Sequence, residues 1–111
     1  MNIISFSTCG TPAFNVQCSS SYTINQRLSD FSSWRGSQNA DAGLWHLMSN
    51  CSTGPTIGLA WLNMLCTTSV ISQTNNDKTT SYVSGTGIST ANPQEFMVIA
   101  HEIGHNWGAT V

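Results

Sequence analysis

Two histidines four positions apart, followed three residues later by a glycine, constrain this chain more than any other feature. The stretch is His101-Glu102-Ile103-Gly104-His105-Asn106-Trp107-Gly108. Residues i and i+4 of a helix lie one turn above each other, so both imidazoles can reach a single metal ion. Gly108 stands where a left-handed residue commonly ends a helix, and there the chain can turn back under the metal. Upstream, Asn92 reads as an N-cap, Pro93 as the first helical residue and Glu95 as the third member of a capping-box pattern. Phe96, Ile99, Ala100, Ile103 and Trp107 recur at helical spacing. They predict an apolar stripe facing a core, with the histidines on roughly the opposite side. The plain alternative is an amphipathic helix carrying two surface histidines.

Glu102 follows the first histidine and points away from the metal axis. From there a carboxylate can hold and deprotonate a zinc-bound water without being a ligand itself. Zinc lowers the pKa of such a water towards neutrality and polarises a carbonyl under attack.

The stretch HEIGHNWGATV resembles the metzincin signature H-E-x-x-H-x-x-G-x-x-H, in particular its reprolysin (adamalysin, ADAM-like) branch. Ile57-Gly58-Leu59-Ala60-Trp61-Leu62-Asn63-Met64-Leu65-Cys66 is similar to the reprolysin stretch GLAYVGTMC, and NQRLSDFSSWRG and LWHLMSNC read like fungal secreted members. The likeness spans roughly residues 14 to 110. It implies zinc ligands at His101 and His105 and a general base at Glu102. It also implies an edge strand around Gly58, Leu59, Ala60 and Trp61 along which an extended protein or peptide substrate pairs. Three departures accompany it. Val111 occupies the third ligand position. The family's Met-turn and C-terminal subdomain have no counterpart, and neither do the first strand and helix of its N-terminal subdomain. The expectation is a truncated catalytic domain.

Polarity here comes from neutral side chains: 29 Ser and Thr and ten Asn, against 7% charged residues, where a typical globular chain has about 25%. A net charge of −2 with three basic residues argues against nucleic acid and anionic membranes as partners. No apolar run approaches the roughly 20 residues of a membrane span. The opening MNIISFSTCG lacks the basic and apolar regions of a signal peptide. Cys9, Cys18, Cys51 and Cys66 lack zinc-site spacing and favour disulfides in an oxidising, secretory compartment, with three pairings open. The resemblance implies that Cys66 pairs beyond the zinc motif, which leaves it free or mispaired here. Asn50-Cys51-Ser52 is formally a glycosylation sequon, read as unoccupied because of its central cysteine.

The expected fold class is α/β, a partial metzincin N-terminal subdomain. Residues 1–22 are read as an irregular Ser/Cys-rich segment with one short strand around Phe14–Gln17, and 23–111 as the partial catalytic domain. Ile24, Leu28, Phe31 and Trp34 predict an amphipathic helix over Thr23–Arg35. Leu44–Met48 reads as a buried strand, Leu59–Leu65 as a second, Gln73–Thr80 as a polar loop and Ser81–Val83, continuing past Gly85, as a third. The zinc helix is expected to lie across this small mixed sheet. His46, within an apolar strand, is read as a hydrogen-bonded residue and not a substitute ligand, and the four tryptophans as core.

By descent the chain reads as a zinc-dependent metalloendopeptidase. The competing reading is an inactive fragment or pseudo-protease that binds zinc weakly or not at all, because a catalytic zinc site takes three protein ligands. For this chain as it stands, the second reading is expected.

Overall fold

A computed structural model describes residues 3–4, 12–38, 42–51, 54–91 and 94–110. Helix α1 (Ile24–Gly36) begins at a complete capping box, in which Thr23 and Gln26 each satisfy the other's backbone N–H. It turns Ile24, Leu28 and Phe31 inward, the face expected from their spacing. They form a core with Phe14 and Ile88, and Trp34, Trp45, Leu47, Leu59 and Trp61 pack around it. The Phe31 and Trp34 rings stack, and Phe14 meets both edge-on. Buried Arg27 and Arg35 tie flanking loops to α1. Arg27 Nη1 donates to the carbonyls of Phe14 and Val16, and Arg35 Nη2 to that of Ala42.

Strands β1 (Trp45–Ser49), β2 (Gly58–Ala60) and β5 (Thr86–Thr90) form one sheet in the order β1-β5-β2. β1 runs parallel to β5 and β2 antiparallel to it. Strand alternation divides this sheet into two unlike faces. Thr86, Ile88, Leu59, Trp61, Trp45 and Leu47 face α1 across the apolar core. Gly87, Ser89, Gly58, Ala60, His46 and Met48 occupy the other face, and helix α2 (Glu95–Asn106) lies against it. A second, two-stranded sheet, β3 (Ile71–Thr74) with β4 (Thr80–Val83), is a hairpin packed beside α1.

Several expectations need correction. Phe14 is a buried core residue in an irregular segment, not part of a strand. β1 is a half-buried edge strand with Met48 exposed, because only β5 pairs with it. The strand expected over Leu59–Leu65 ends at Ala60. The following turn takes Asn63 and Cys66 to positive φ and sends the N–H groups of Asn63 and Leu65 to the carbonyls of His105 and Asn106. Those two donors cap the C-terminal end of α2, whose last carbonyls lack helical partners. The polar loop expected over Gln73–Thr80 takes in the last two residues of strand β3, the turn, and the first residue of β4. β3 carries no apolar alternation because all four residues are exposed. The expected third strand is two strands in different sheets, β4 and β5.

Cys18 and Cys51 form a disulfide, one of the pairings left open, and Cys66 is an exposed thiol among the described residues. Closing a loop across 33 positions stabilises by about 3–4 kcal/mol through the unfolded chain. Cys9 lies outside the described residues.

Candidate active site

Helix α2 is rotated about its axis from the facing its apolar pattern predicts, which leaves Ile99 and Ile103 of the stripe half-buried. Phe96, Met97 and Trp107 are 73%, 57% and 69% exposed, whereas Glu102 is 6% and Asn106 0% exposed. The sheet surface beneath explains the rotation. A Cβ on Gly58 would come within 2.6 Å of Val98 Cγ1 and 2.5 Å of Glu102 Oε1, and one on Gly87 within 3.4 Å of Asn106 Oδ1. Two glycines in adjacent rows thus admit two polar side chains one helical turn apart. Trp107 is the tryptophan that departs from the expected core.

Asn106 is held from both sides: its Nδ2 donates to the carbonyls of Trp61 (2.9 Å) and Thr86 (3.0 Å). Behind them Ser32 accepts from the Trp61 indole at 2.8 Å and bonds Thr86 Oγ1 at 2.6 Å, which joins α1 to the same strands. The helix starts at Glu95 with Gln94 at the cap position. Asn92 and Pro93, expected there, lie outside the described residues. Its far end is a Schellman motif: Gly108 N–H bonds His105 O and Ala109 N–H bonds Gly104 O, with Gly108 at φ +109°. The glycine stop expected from the sequence is therefore in place.

That turn delivers a backbone carbonyl to the histidine pair. His105 Nδ1–H donates to Ala109 O at 2.7 Å, which leaves Nε2 as a lone pair. His105 Nε2 stands 2.9 Å from His101 Nε2, with the ring centroids 4.5 Å apart. Two imidazole nitrogens bound tetrahedrally at ordinary metal–nitrogen lengths would be separated by about 3.3 Å. The pair thus fits one metal ion with only a small opening, and the carbonyl on Nδ1 is the usual outer partner of a metal-binding histidine. Among the described residues, no third His, Cys, Asp or Glu is grouped with them. Position 111 lies outside the described residues. His46 is engaged elsewhere, with Nε2 3.1 Å from Ser89 Oγ.

Glu102 lies between this pair and the sheet edge. Burial pushes its carboxyl above the ordinary carboxylate range, and His105 and His101 pull it partly back. A carboxyl raised in this way holds a proton more readily than an ordinary one. The edge strand adjoins it through Gly58. Thr90 N–H bonds Ile57 O and Trp61 N–H bonds Thr86 O. Strand alternation therefore turns the backbone of Gly58 and Ala60 outward. Of the four residues expected to meet substrate, these two present free-edge backbone. Leu59 and Trp61 send their side chains to the α1 core instead.

Sequence reasoning missed Asn106, Gly87 and the Ala109 carbonyl. The available signal was Glu102 and Asn106 themselves, a polar pair four apart on a helix whose opposite face is apolar. No helix among the described residues is long and apolar enough to cross a membrane.

The sequence profile described as metallo-peptidase family M12B, reprolysin-like, matches residues 2–111. A disintegrin and metalloproteinase domain-containing protein B of Aspergillus fumigatus is 45% identical over 97 residues, which cover 86% of this chain and 12% of that protein. Proteins of the same name from Arthroderma otae and Trichophyton verrucosum are 37% and 36% identical over 102 residues, or 86% of this chain and 13% of each. The chain spans only about an eighth of the length of these curated relatives. By that match over nearly its whole length and by these relatives, the chain belongs to the reprolysin-like M12B metallopeptidase family.

Proposed function

We propose that this chain carries the zinc-binding helix and substrate edge of a zinc-dependent metalloendopeptidase acting on extended protein or peptide segments in an extracellular setting. The observation that carries the reading is the convergence of His101 Nε2 and His105 Nε2 to 2.9 Å, with His105 Nδ1 fixed by Ala109 O. Bound zinc supplies Lewis-acid polarisation of a carbonyl and a water of lowered pKa. His101 and His105 bind the ion. Glu102, buried beside them with a raised proton affinity, is the base that takes a proton from water and returns it to the leaving amine. The outward backbone of Gly58 and Ala60 pairs an extended segment by strand addition. The Cys18–Cys51 disulfide supports the extracellular assignment.

A second reading is favoured by the donor set among the described residues, where two histidines have no third ligand grouped with them. In this reading the chain binds zinc weakly or not at all and does not cleave. Zinc titration against a competing chelator, together with cleavage of an unfolded protein substrate, separates the two. Wherever zinc binds, His101→Ala and His105→Ala should weaken it by more than about tenfold, the lower bound for losing even an outer partner. Chelator-sensitive cleavage that disappears in Glu102→Ala establishes the peptidase. Weak or absent zinc binding without cleavage establishes the second reading and removes the first.

A further inference from the structure

Strand β1 ends the larger sheet, and part of its backbone points away from every other described strand. Trp45 N–H bonds Gly85 O and Ser49 O accepts from Ala91 N–H, both towards β5. Trp45 stands opposite Thr86 and Ser49 opposite Thr90. Alternation therefore sends the backbone of Trp45, Leu47 and Ser49 to β5 and that of His46 and Met48 to the outside. The edge also lacks the proline or charged side chain with which strands usually discourage pairing. No Asp, Glu, Lys or Arg lies between Asp41 and Asp77, and Met48 is 61% exposed. Other edges differ. β2 is three residues long and adjoins the Glu102 carboxyl at Gly58, and the β3–β4 hairpin carries Asp77 and Lys78 in its turn.

We propose that β1 is a dimerisation edge, on which a second copy of this chain adds its own β1 antiparallel about a two-fold axis at Leu47. The strand is self-complementary in that register. His46 of each copy faces Met48 of the other, and each facing pair exchanges two N–H···O=C bonds. Leu47 meets its counterpart at the axis, and its side chain stays against the α1 core. A second copy brings the same unpaired row of donors and acceptors, so one contact satisfies both edges. With no charged side chain on either strand, the two approach without like-charge repulsion. The dimer joins two three-stranded sheets into one and leaves β2 open at each far edge. It does not depend on the chain being a peptidase.

Sedimentation equilibrium of the full chain, with its disulfide intact, reads the association directly. The mass should rise with concentration from 11.9 kDa towards twice that value. Hydrogen exchange locates the contact. The His46 and Met48 amides should exchange readily in dilute solution and become protected as the dimer forms, while Gly58 and Ala60 stay unchanged. Met48→Pro removes an outward donor from each strand, and Met48→Lys sets a charge on the edge. Each should weaken association by at least about tenfold. If Met48→Pro does not fold, Met48→Lys, which alters only an exposed side chain, decides. A chain that stays monomeric at every concentration overturns the proposal. So does a dimer that protects β2 or β3 instead, or one that non-reducing denaturing electrophoresis shows to be held only by a Cys66 disulfide. Protection of His46 and Met48 in the monomer also overturns it, because another segment of the chain would then occupy the edge.

Discussion

Helices α1 and α2 lie on opposite faces of one sheet, and only α1 adds fully buried apolar side chains to the polar ones it buries. α1 buries Leu28, Phe31 and Ile24 and starts at its own capping box, so its local sequence and its tertiary position agree. α2 buries Glu102 and Asn106 and leaves Phe96, Met97 and Trp107 in solvent. Its position comes from Gly58 and Gly87 below it and from carbonyl partners on β2 and β5. The lesson is that an apolar stripe states which face a helix could bury. The surface it meets decides which face it does bury.

The largest effect should separate the two apolar faces. Phe31→Ala removes a ring from the core under α1 and should cost about 3–5 kcal/mol in denaturant unfolding. Phe96→Ala acts on an exposed stripe and should stay within about 0.5 kcal/mol. Similar costs for the two would mean that α2 buries its apolar stripe after all, and the comparison would fail.

How much of this was legible beforehand differs along the same line. α1 was readable to within a residue because its pattern, cap and burial coincide. The histidine pair was readable because four-residue spacing alone brings both rings together, whichever way the helix faces. The facing of α2 was not readable from α2. It depends on glycines about 44 and 15 positions upstream of Glu102, in two strands whose pairing no local pattern specifies. β3 was missed because Ile71-Ser72-Gln73-Thr74 is exposed throughout and has no inward face to advertise. The Leu59–Leu65 apolar run read as strand, but most of it is a turn whose donors serve the end of α2.

The second effect concerns acid. Burial lowers the His46 pKa from 6.5 to about 4. Ser89 is its neighbour and connects it to Glu95. Between these values the unfolded chain binds a proton that the folded chain refuses, so stability rises with pH across this window and is lost as pH falls from about 6.5 to about 4. The contribution is on the order of 3 kcal/mol at most. The raised Glu102 carboxyl acts with the opposite sign, since there the folded state holds the proton more tightly. Comparing unfolding of the unaltered chain and His46→Gln at a series of pH values isolates the histidine. Parallel curves would show that His46 is not neutral by burial, and would weaken the picture of a polar but closed face under α2.

A smaller effect tests the glycine seat. Gly58→Ala places a methyl within 2.6 Å of Val98 Cγ1 and 2.5 Å of the Glu102 carboxylate. The carboxylate can swing, but the branched valine cannot, so α2 must lift slightly. The expected cost is about 1–3 kcal/mol, with the Glu102 environment changed even where the fold survives. Calorimetry gives the first quantity and a carboxyl titration of Glu102 the second. A variant as stable as the parent would show that α2 does not need a bare strand beneath it.

The smallest effect returns to α1. Thr23 Oγ1 accepts from Gln26 N–H at 3.3 Å, and Gln26 Oε1 accepts from Thr23 N–H at 2.8 Å. These exposed bonds satisfy two of the backbone donors that the start of a helix leaves over. Thr23→Ala should cost about 1 kcal/mol, Thr23→Gly a few tenths, and Thr23→Ser should restore the cap. Hydrogen exchange at Gln26 reads the local opening directly, and denaturant unfolding reads the global cost. If Thr23→Ala changes neither, α1 is held by its core contacts alone. Both helices would then be set by the surfaces they meet, and local specification would no longer distinguish them.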